Sequence, residues 1–269
     1  MAAADASGPD ARALEALLAF WADAGVDAAL GDSPVDRLAP PPARESAPER
    51  APATRPQSTP GAAAALAQEG AAIASAAANM AALEAAVAAF DGCALRATGS
   101  GRAVFAHLPR RADVVVIAEA PGPEDEAAGA PFSGPAGMLV RTLLRHAGLE
   151  QRALLTQSVF WRPPGGAAPS PADQAACLPF LERLIALARP KALLVMGEAA
   201  SKGLLGAREP ILKSRGAWAE WTGRHERLTL PAMPTLSPAF LLSRPALRKA
   251  AWGDILSLAS QVDPPAPGR

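Results

Sequence analysis

Residues 114–122 read Val-Val-Val-Ile-Ala-Glu-Ala-Pro-Gly. Four successive β-branched residues stopped by Pro-Gly describe a short strand buried on both faces. The same grammar recurs downstream. ALLTQSVFWRPPGG (153–166) is strand then loop, KALLVMGEAASKGLLG (191–206) is strand, Gly and helix, and LTLPAMPTLSPAFLL (228–242) is a last strand and loop. Between and after them, MLVRTLLRHAGL (138–149), PADQAACLPFLERLIALARP (171–190) and RPALRKAAWGDILSLAS (244–260) carry apolar residues at helical spacing. Alternating strands and helices predict a central parallel sheet covered on both faces, a three-layer α/β/α fold. A ligand crevice then belongs at the carboxyl ends of the strands, in loops 118–136, 157–166, 197–201 and 235–241.

Upstream the composition changes. Of the first 90 residues 34 are Ala, and Pro clusters between residues 34 and 60. Compositional bias alone explains much of that, but the distribution marks boundaries. Residues 1–32 read as an N-terminal helical segment, with Leu14, Leu17, Leu18, Trp21 and Val26 at helical spacing. Residues 33–61 read as a Pro/Ala-rich disordered linker, 62–89 as an Ala-rich helix, 90–260 as the folded domain, and 261–269 as a disordered tail.

The 269 residues hold 26 basic and 26 acidic side chains. That neutrality is an average: residues 1–89 carry 11 acidic and 5 basic groups, residues 90–269 carry 15 and 21. A basic domain joined to an acidic extension permits binding to a nucleic-acid backbone without demanding it. No long apolar run suggests a membrane span, and the amino terminus lacks the pattern of a secretory signal. Cys93 and Cys177 are too few for a disulfide scaffold, so a reducing, cytoplasmic setting is the expectation.

The loop AEAPGPEDEAAGAPFSGPAG (118–137) has four Gly and four Pro, which fix a tight path. Such loops let backbone N–H groups approach a ligand closely. Phe132 is either a stacking platform or a loop anchor in the core. Glu124, Asp125 and Glu126 read as a solvated acidic face or a loop network.

With the later loops, this segment resembles the uracil-DNA glycosylase superfamily, closest to its family 4. The resemblance rests on Ala118–Gly122, Pro131–Gly137, RPPG at 162–165, ACLPFLERLI at 176–185, RPKALLVMGEAA at 189–200, LKSRGAW at 212–218 and SPAFLL at 237–242, in family order over residues 90–260. It implies a base-excision repair hydrolase that cleaves the N-glycosidic bond of uracil, or another deaminated base, flipped out of single- or double-stranded DNA. It assigns Phe132 to stacking, Glu119 to placing water, and Gly122, Gln157 and Ser237 to the base. Arg162, Lys213, Arg215, Arg244, Arg248 and Lys249 are the candidate DNA contacts, and Phe240-Leu241-Leu242 holds a candidate wedge.

Three departures qualify it. Gln157 stands where the family places Asn, one methylene shorter. Ser237 stands where the family has a His that donates toward uracil O2. Of the four Cys that hold the family's [4Fe-4S] cluster, Cys93 and Cys177 remain, with Phe90 and Trp161 at the other two positions. The expectations are therefore no cluster, no membrane and a monomer bound to lesion-containing DNA. Rival readings are a lesion- or abasic-site-binding protein with impaired catalysis, and a flavodoxin-like nucleotide binder. His225 reads as an ordinary surface residue, with substitution for the missing His as the alternative.

Overall fold

The computed structural model describes residues 60–98, 101–109 and 111–264, within the unit Gln57–Arg269. Among these residues, six strands form one sheet: β1 (Ala106–His107), β2 (Val114–Ala118), β3 (Ala153–Gln157), β4 (Ala192–Met196), β5 (Ala219–Thr222) and β6 (Thr229–Thr235). The order is β1-β3-β2-β4-β6-β5. The four inner strands run parallel, and short antiparallel strands close both edges. β1 and β5 are absent from the sequence reading because two- and four-residue edge strands lack a sustained apolar pattern.

Successive side chains of β2 feed two cores. Val115 and Ile117 face a layer built by α1 (Pro60–Ala76), α2 (Met80–Ala89) and α6 (Pro171–Ala188). Val114 and Val116 face the layer of α5 (Pro135–His146) and α10 (Arg248–Val262). All five residues of β2, β3 and β4 are buried, as double-sided strands require. The remaining helices are α3 (Ala94–Thr98), α4 (Pro123–Ala128), α7 (Glu198–Leu205), α8 (Ile211–Ser214) and α9 (Pro238–Ser243). No helix among the described residues is long and apolar enough to cross a membrane.

Three boundaries shift. The single helix expected over 62–89 is two, because Asn79 caps α2 by accepting from the Ala82 N–H at 2.9 Å. These helices are part of the folded layer rather than a lead-in: Ala74, Ala77, Leu83 and Val87 are buried, and Arg183 of α6 donates to the Ala77 carbonyl. Small side chains let α1 lie close on α6, so the alanine content has a packing role here. At the other end α10 runs to Val262, and Asp263 pairs with Arg152 at 2.5 Å, beyond the expected end at 260. The expected helix near residues 11–25, the linker to residue 59 and residues 265–269 lie outside the described residues.

One buried ion pair ties the layers under β6. Arg215, just after α8, forks onto both oxygens of Asp254 on α10, and Thr235 Oγ1 donates to Asp254 Oδ2 at 2.5 Å. Asp254 is 4 % exposed. Replacing Asp254 with Ala leaves the half-buried Arg215 charge unmatched, and urea titration is expected to show a loss of about 3 kcal/mol.

Candidate active site

The loops after β2, β3 and β6 meet at one end of the sheet, around a cavity of about 320 Å³. That size lies within the range of small-ligand sites. Its lining includes Glu119, Gly122, Asp125, Phe132, Gln157 and Ser237. The expected residues Glu119, Gly122, Phe132, Gln157 and Ser237 are therefore brought together from four chain segments.

Asp125 organises the site. It is buried in α4, whose start is set by Gly122 as N-cap and Pro123 at the first helical position. Asp125 Oδ2 accepts from Gly122 N at 3.1 Å and from Gln157 Nε2 at 2.8 Å, while Oδ1 accepts from Ser133 N at 2.7 Å. The acidic run thus divides three ways: Glu124 is exposed, Asp125 is interior, and Glu126 pairs with Arg162 at 2.9 Å. The sequence reading missed Asp125 as a site residue. Its signal was an acid three residues after a Gly-Pro helix start, where a capping carboxylate turns back to the N-cap N–H.

Since a carboxylate only accepts, Asp125 fixes the orientation of the Gln157 amide. Gln157 is 2 % exposed, and its Oε1 has no hydrogen-bond partner among the described residues. A buried orphan acceptor costs roughly 1–3 kcal/mol until a donor reaches it.

Phe132 is buried with φ 58°, in the left-handed region that bulky residues avoid. Arg141 of α5 clamps the segment by donating to the carbonyls of Phe132 and Pro131, each at 3.2 Å. Gly137 lets the Phe132 backbone lie against α5, because a Cβ there would collide with it. Phe132 therefore both anchors the loop and lines the cavity.

Glu119 leaves the end of β2 toward α7, where Oε1 accepts from Ala199 N at 2.7 Å. Its carboxyl packs on Gly197, whose φ of 104° and absent Cβ are both required at that spot. Burial raises the Glu119 pKa, the Ala199 N–H opposes the shift, and the Glu198 charge adds to it. Ser237 caps α9 by accepting from Phe240 N at 3.4 Å and borders the cavity. In the same short helix Leu241 is core, whereas Leu242 is 41 % exposed at the cavity.

The cationic candidates separate by what they already hold. Arg215 is committed to Asp254 and the Ala250 carbonyl. Arg248 donates to the carbonyls of Leu241 and Leu242 and so braces α9. Arg244 lies over the Phe240 ring at 5.5 Å. Lys213 is exposed, with Glu209 at 4.0 Å, and Lys249 is exposed in the first turn of α10. His225 lies against α6, where Glu182 accepts from its backbone N–H at 2.6 Å and contacts its ring Nδ1 at 3.0 Å. It does not line the cavity.

Away from this cavity, Cys93 and Cys177 are buried with sulfurs 3.8 Å apart. Burial pushes the Cys177 thiol well up, with Cys93 adding to the shift. Phe90 and Trp161, at the two other positions, are 3 % and 2 % exposed, and Phe90 packs on Phe180 with ring centroids 4.8 Å apart. Two thiols and two aromatic rings do not fit a cubane cluster, which takes four ligands. Among the described residues no group of three or more His, Cys, Asp or Glu is arranged to hold a metal ion.

Residues 105–256 match the sequence pattern of the Uracil DNA glycosylase superfamily. The chain belongs to this superfamily. It is 34 % identical over 146 residues to a type-4 uracil-DNA glycosylase of Thermotoga maritima, covering 53 % of this chain and 73 % of that one. A type-4 uracil-DNA glycosylase of Pyrobaculum aerophilum is 32 % identical over 140 residues, 50 % of this chain and 70 % of its own. One of Sulfurisphaera tokodaii is 31 % identical over 145 residues, 52 % of this chain and 65 % of its own.

In this glycosylase-superfamily domain the Glu119 shift links to stability. The folded carboxyl keeps its proton to higher pH than an unfolded one, so stability falls as pH rises from 4.5 through the raised value. Glu119→Gln keeps an acceptor for Ala199 N–H and removes that titration. Thermal melts are expected to give a variant with a higher Tm than the parent at neutral pH, and a flatter Tm profile through the window.

Proposed function

We propose that the chain is a DNA N-glycosylase that hydrolyses the N-glycosidic bond of uracil, or of a deaminated base with the same N3–H edge, flipped out of DNA. The observation that carries this reading is the amide of Gln157, a cavity-lining residue held in one orientation by Asp125 and with its buried Oε1 left without a partner among the described residues. Uracil presents an N–H at N3, whereas cytosine presents a lone pair there. The acceptor therefore favours uracil and repels the normal base.

Flipping costs about a few kcal/mol, offset by enclosing the base beside Phe132. As the glycosidic bond breaks, the base departs with the bonding pair and negative charge grows on it. Backbone N–H groups of the 119–124 loop and the Ser237 hydroxyl supply donors for that charge. Water held at Glu119 adds its hydroxyl to the sugar carbon and gives its proton to the carboxylate. Leu242 is the proposed wedge, and Arg162, Lys213 and Arg244 are the proposed phosphate contacts. Arg215 and Arg248 brace the fold around them.

Uracil-containing oligonucleotides, incubated with the protein and then cleaved by alkali, are expected to break at the uracil. The rate is expected to rise as pH passes upward through the raised Glu119 pKa, since the carboxylate form takes the proton. DNA affinity without strand cleavage at any deaminated base overturns the enzyme reading in favour of a lesion-binding protein. That second reading has one specific support: Ser237 already serves as a helix cap and is shorter than the family's His. Ser237→His is expected to raise the rate by roughly 10- to 100-fold, because a preorganised donor is worth about two to three orders of magnitude.

We further propose that the domain works without an iron–sulfur cluster, its place taken by the Phe90, Phe180 and Trp161 rings. Purified aerobically or anaerobically, the protein is expected to carry no stoichiometric iron and no absorption band at about 400 nm.

A further inference from the structure

A second cavity, of about 590 Å³, also borders Glu119, between the start of α6 and α7. Leu178, Leu181 and Leu204 give it an apolar lining, with Pro169 and Pro171 at the side. One amide, that of Gln174, adds a polar edge; its Nε2 makes a long 3.4 Å bond to the Pro169 carbonyl. Two cations stand at the lining. Lys202 is paired with Glu198 at 2.5 Å, whereas the exposed Arg224 guanidinium has no carboxylate partner among the described residues.

The loop that presents Arg224 is fixed rather than loose. Buried Glu182 accepts from Arg224 N at 2.8 Å and from His225 N at 2.6 Å, and Arg183 pairs with Glu226 at 3.2 Å. Those bonds hold the Arg224 backbone at the cavity and leave its guanidinium to another partner. Glu119 is common to this cavity and the base cavity, so the two are next-door compartments at the same end of the sheet.

We infer that this cavity receives the nucleobase next to the flipped nucleotide, on the same strand of single-stranded DNA, with Arg224 on the intervening or adjoining phosphate. The inference rests on the glycosylase reading and names its substrate form. A mostly apolar slot, with Gln174, Ser158 and the Glu119 and Glu198 carboxylates along its lining, suits a site that takes any base by its ring face rather than by a specific edge. The unpaired cation at the mouth complements a phosphodiester. A neighbouring base still paired and stacked in a duplex is not free to enter, so the second compartment favours a single strand.

The test uses the full chain and a short single-stranded oligonucleotide carrying uracil as its 2′-fluoro analogue, which resists hydrolysis. 2-Aminopurine is placed immediately 5′ in one oligonucleotide and immediately 3′ in another. On one of the two sides its fluorescence is expected to become protected from acrylamide quenching. Ala175→Trp, which fills the cavity from α6, is expected to remove that protection and weaken binding about tenfold. The deficit is expected to vanish when the flanking nucleotide is an abasic spacer, which a folding defect would not allow. Arg224→Ala, at an exposed position, is expected to weaken binding and lower the salt-dependence slope by about one. Equal quenching on both sides with bound oligonucleotide overturns the subsite, as does an unchanged affinity in both variants. Competition by free 2-aminopurine at equal affinity overturns it too, making the cavity a small-molecule site. Protection without cleavage of ordinary uracil substrates keeps the subsite and removes the glycosylase reading. Cleavage without protection does the reverse.

Discussion

The Asp125 carboxylate gathers three donors from three segments: Gly122 after β2, Ser133 beside Phe132, and Gln157 at the end of β3. The sheet already holds the Gln157 backbone beside Ala118, and Arg141 clamps the Phe132 segment, so Asp125 adds the bond that joins the three to one another. A single buried acceptor thus helps to set where the Phe132 segment sits, where the Gly-Pro turn runs and which atom of the amide is left over. Because all three donors converge on one group, moving any of them strains the other two.

Glu119 shows a different kind of constraint. Its carboxyl is placed by a helix N–H and by a glycine that has no side chain to obstruct it, yet burial works against its charge. A group held where its charged form is disfavoured costs stability and keeps reactivity, a trade common at catalytic positions. The Arg215–Asp254–Thr235 network lies beneath the same strand ends, and the Thr235 carbonyl accepts from Gly197 N at 2.8 Å. Fold-stabilising charge and site geometry are therefore joined through Thr235.

The parallel sheet was legible because β2, β3 and β4 are uninterrupted apolar runs between helical periods, and double burial leaves that mark on sequence. The site was legible only as a set of loops and as a resemblance. The motif named Phe132, Gln157, Glu119 and Ser237, which line one cavity, but it did not name their partners. Asp125 looked like one of three equivalent acids, and nothing in Gly-Pro-Glu-Asp-Glu says which of them turns inward until the helix start is fixed. Arg215 and Arg248 looked like DNA contacts because a charge count cannot tell a solvated guanidinium from one that reaches back to Asp254 or to the carbonyls of α9. Edge strands escaped for want of length.

The matched family region begins at residue 105, whereas α1 and α2 lie wholly before it and pack on α6, in the core layer that faces Val115 and Ile117 of β2. A chain cut at residue 105 would therefore lose the two helices that pack on α6. Phe180, which packs on Phe90 and lies against Gly70, would then be bared as part of a greasy flank that water disfavours and other chains adhere to. The boundary set by shared ancestry and the boundary set by solvent exclusion do not coincide in this protein.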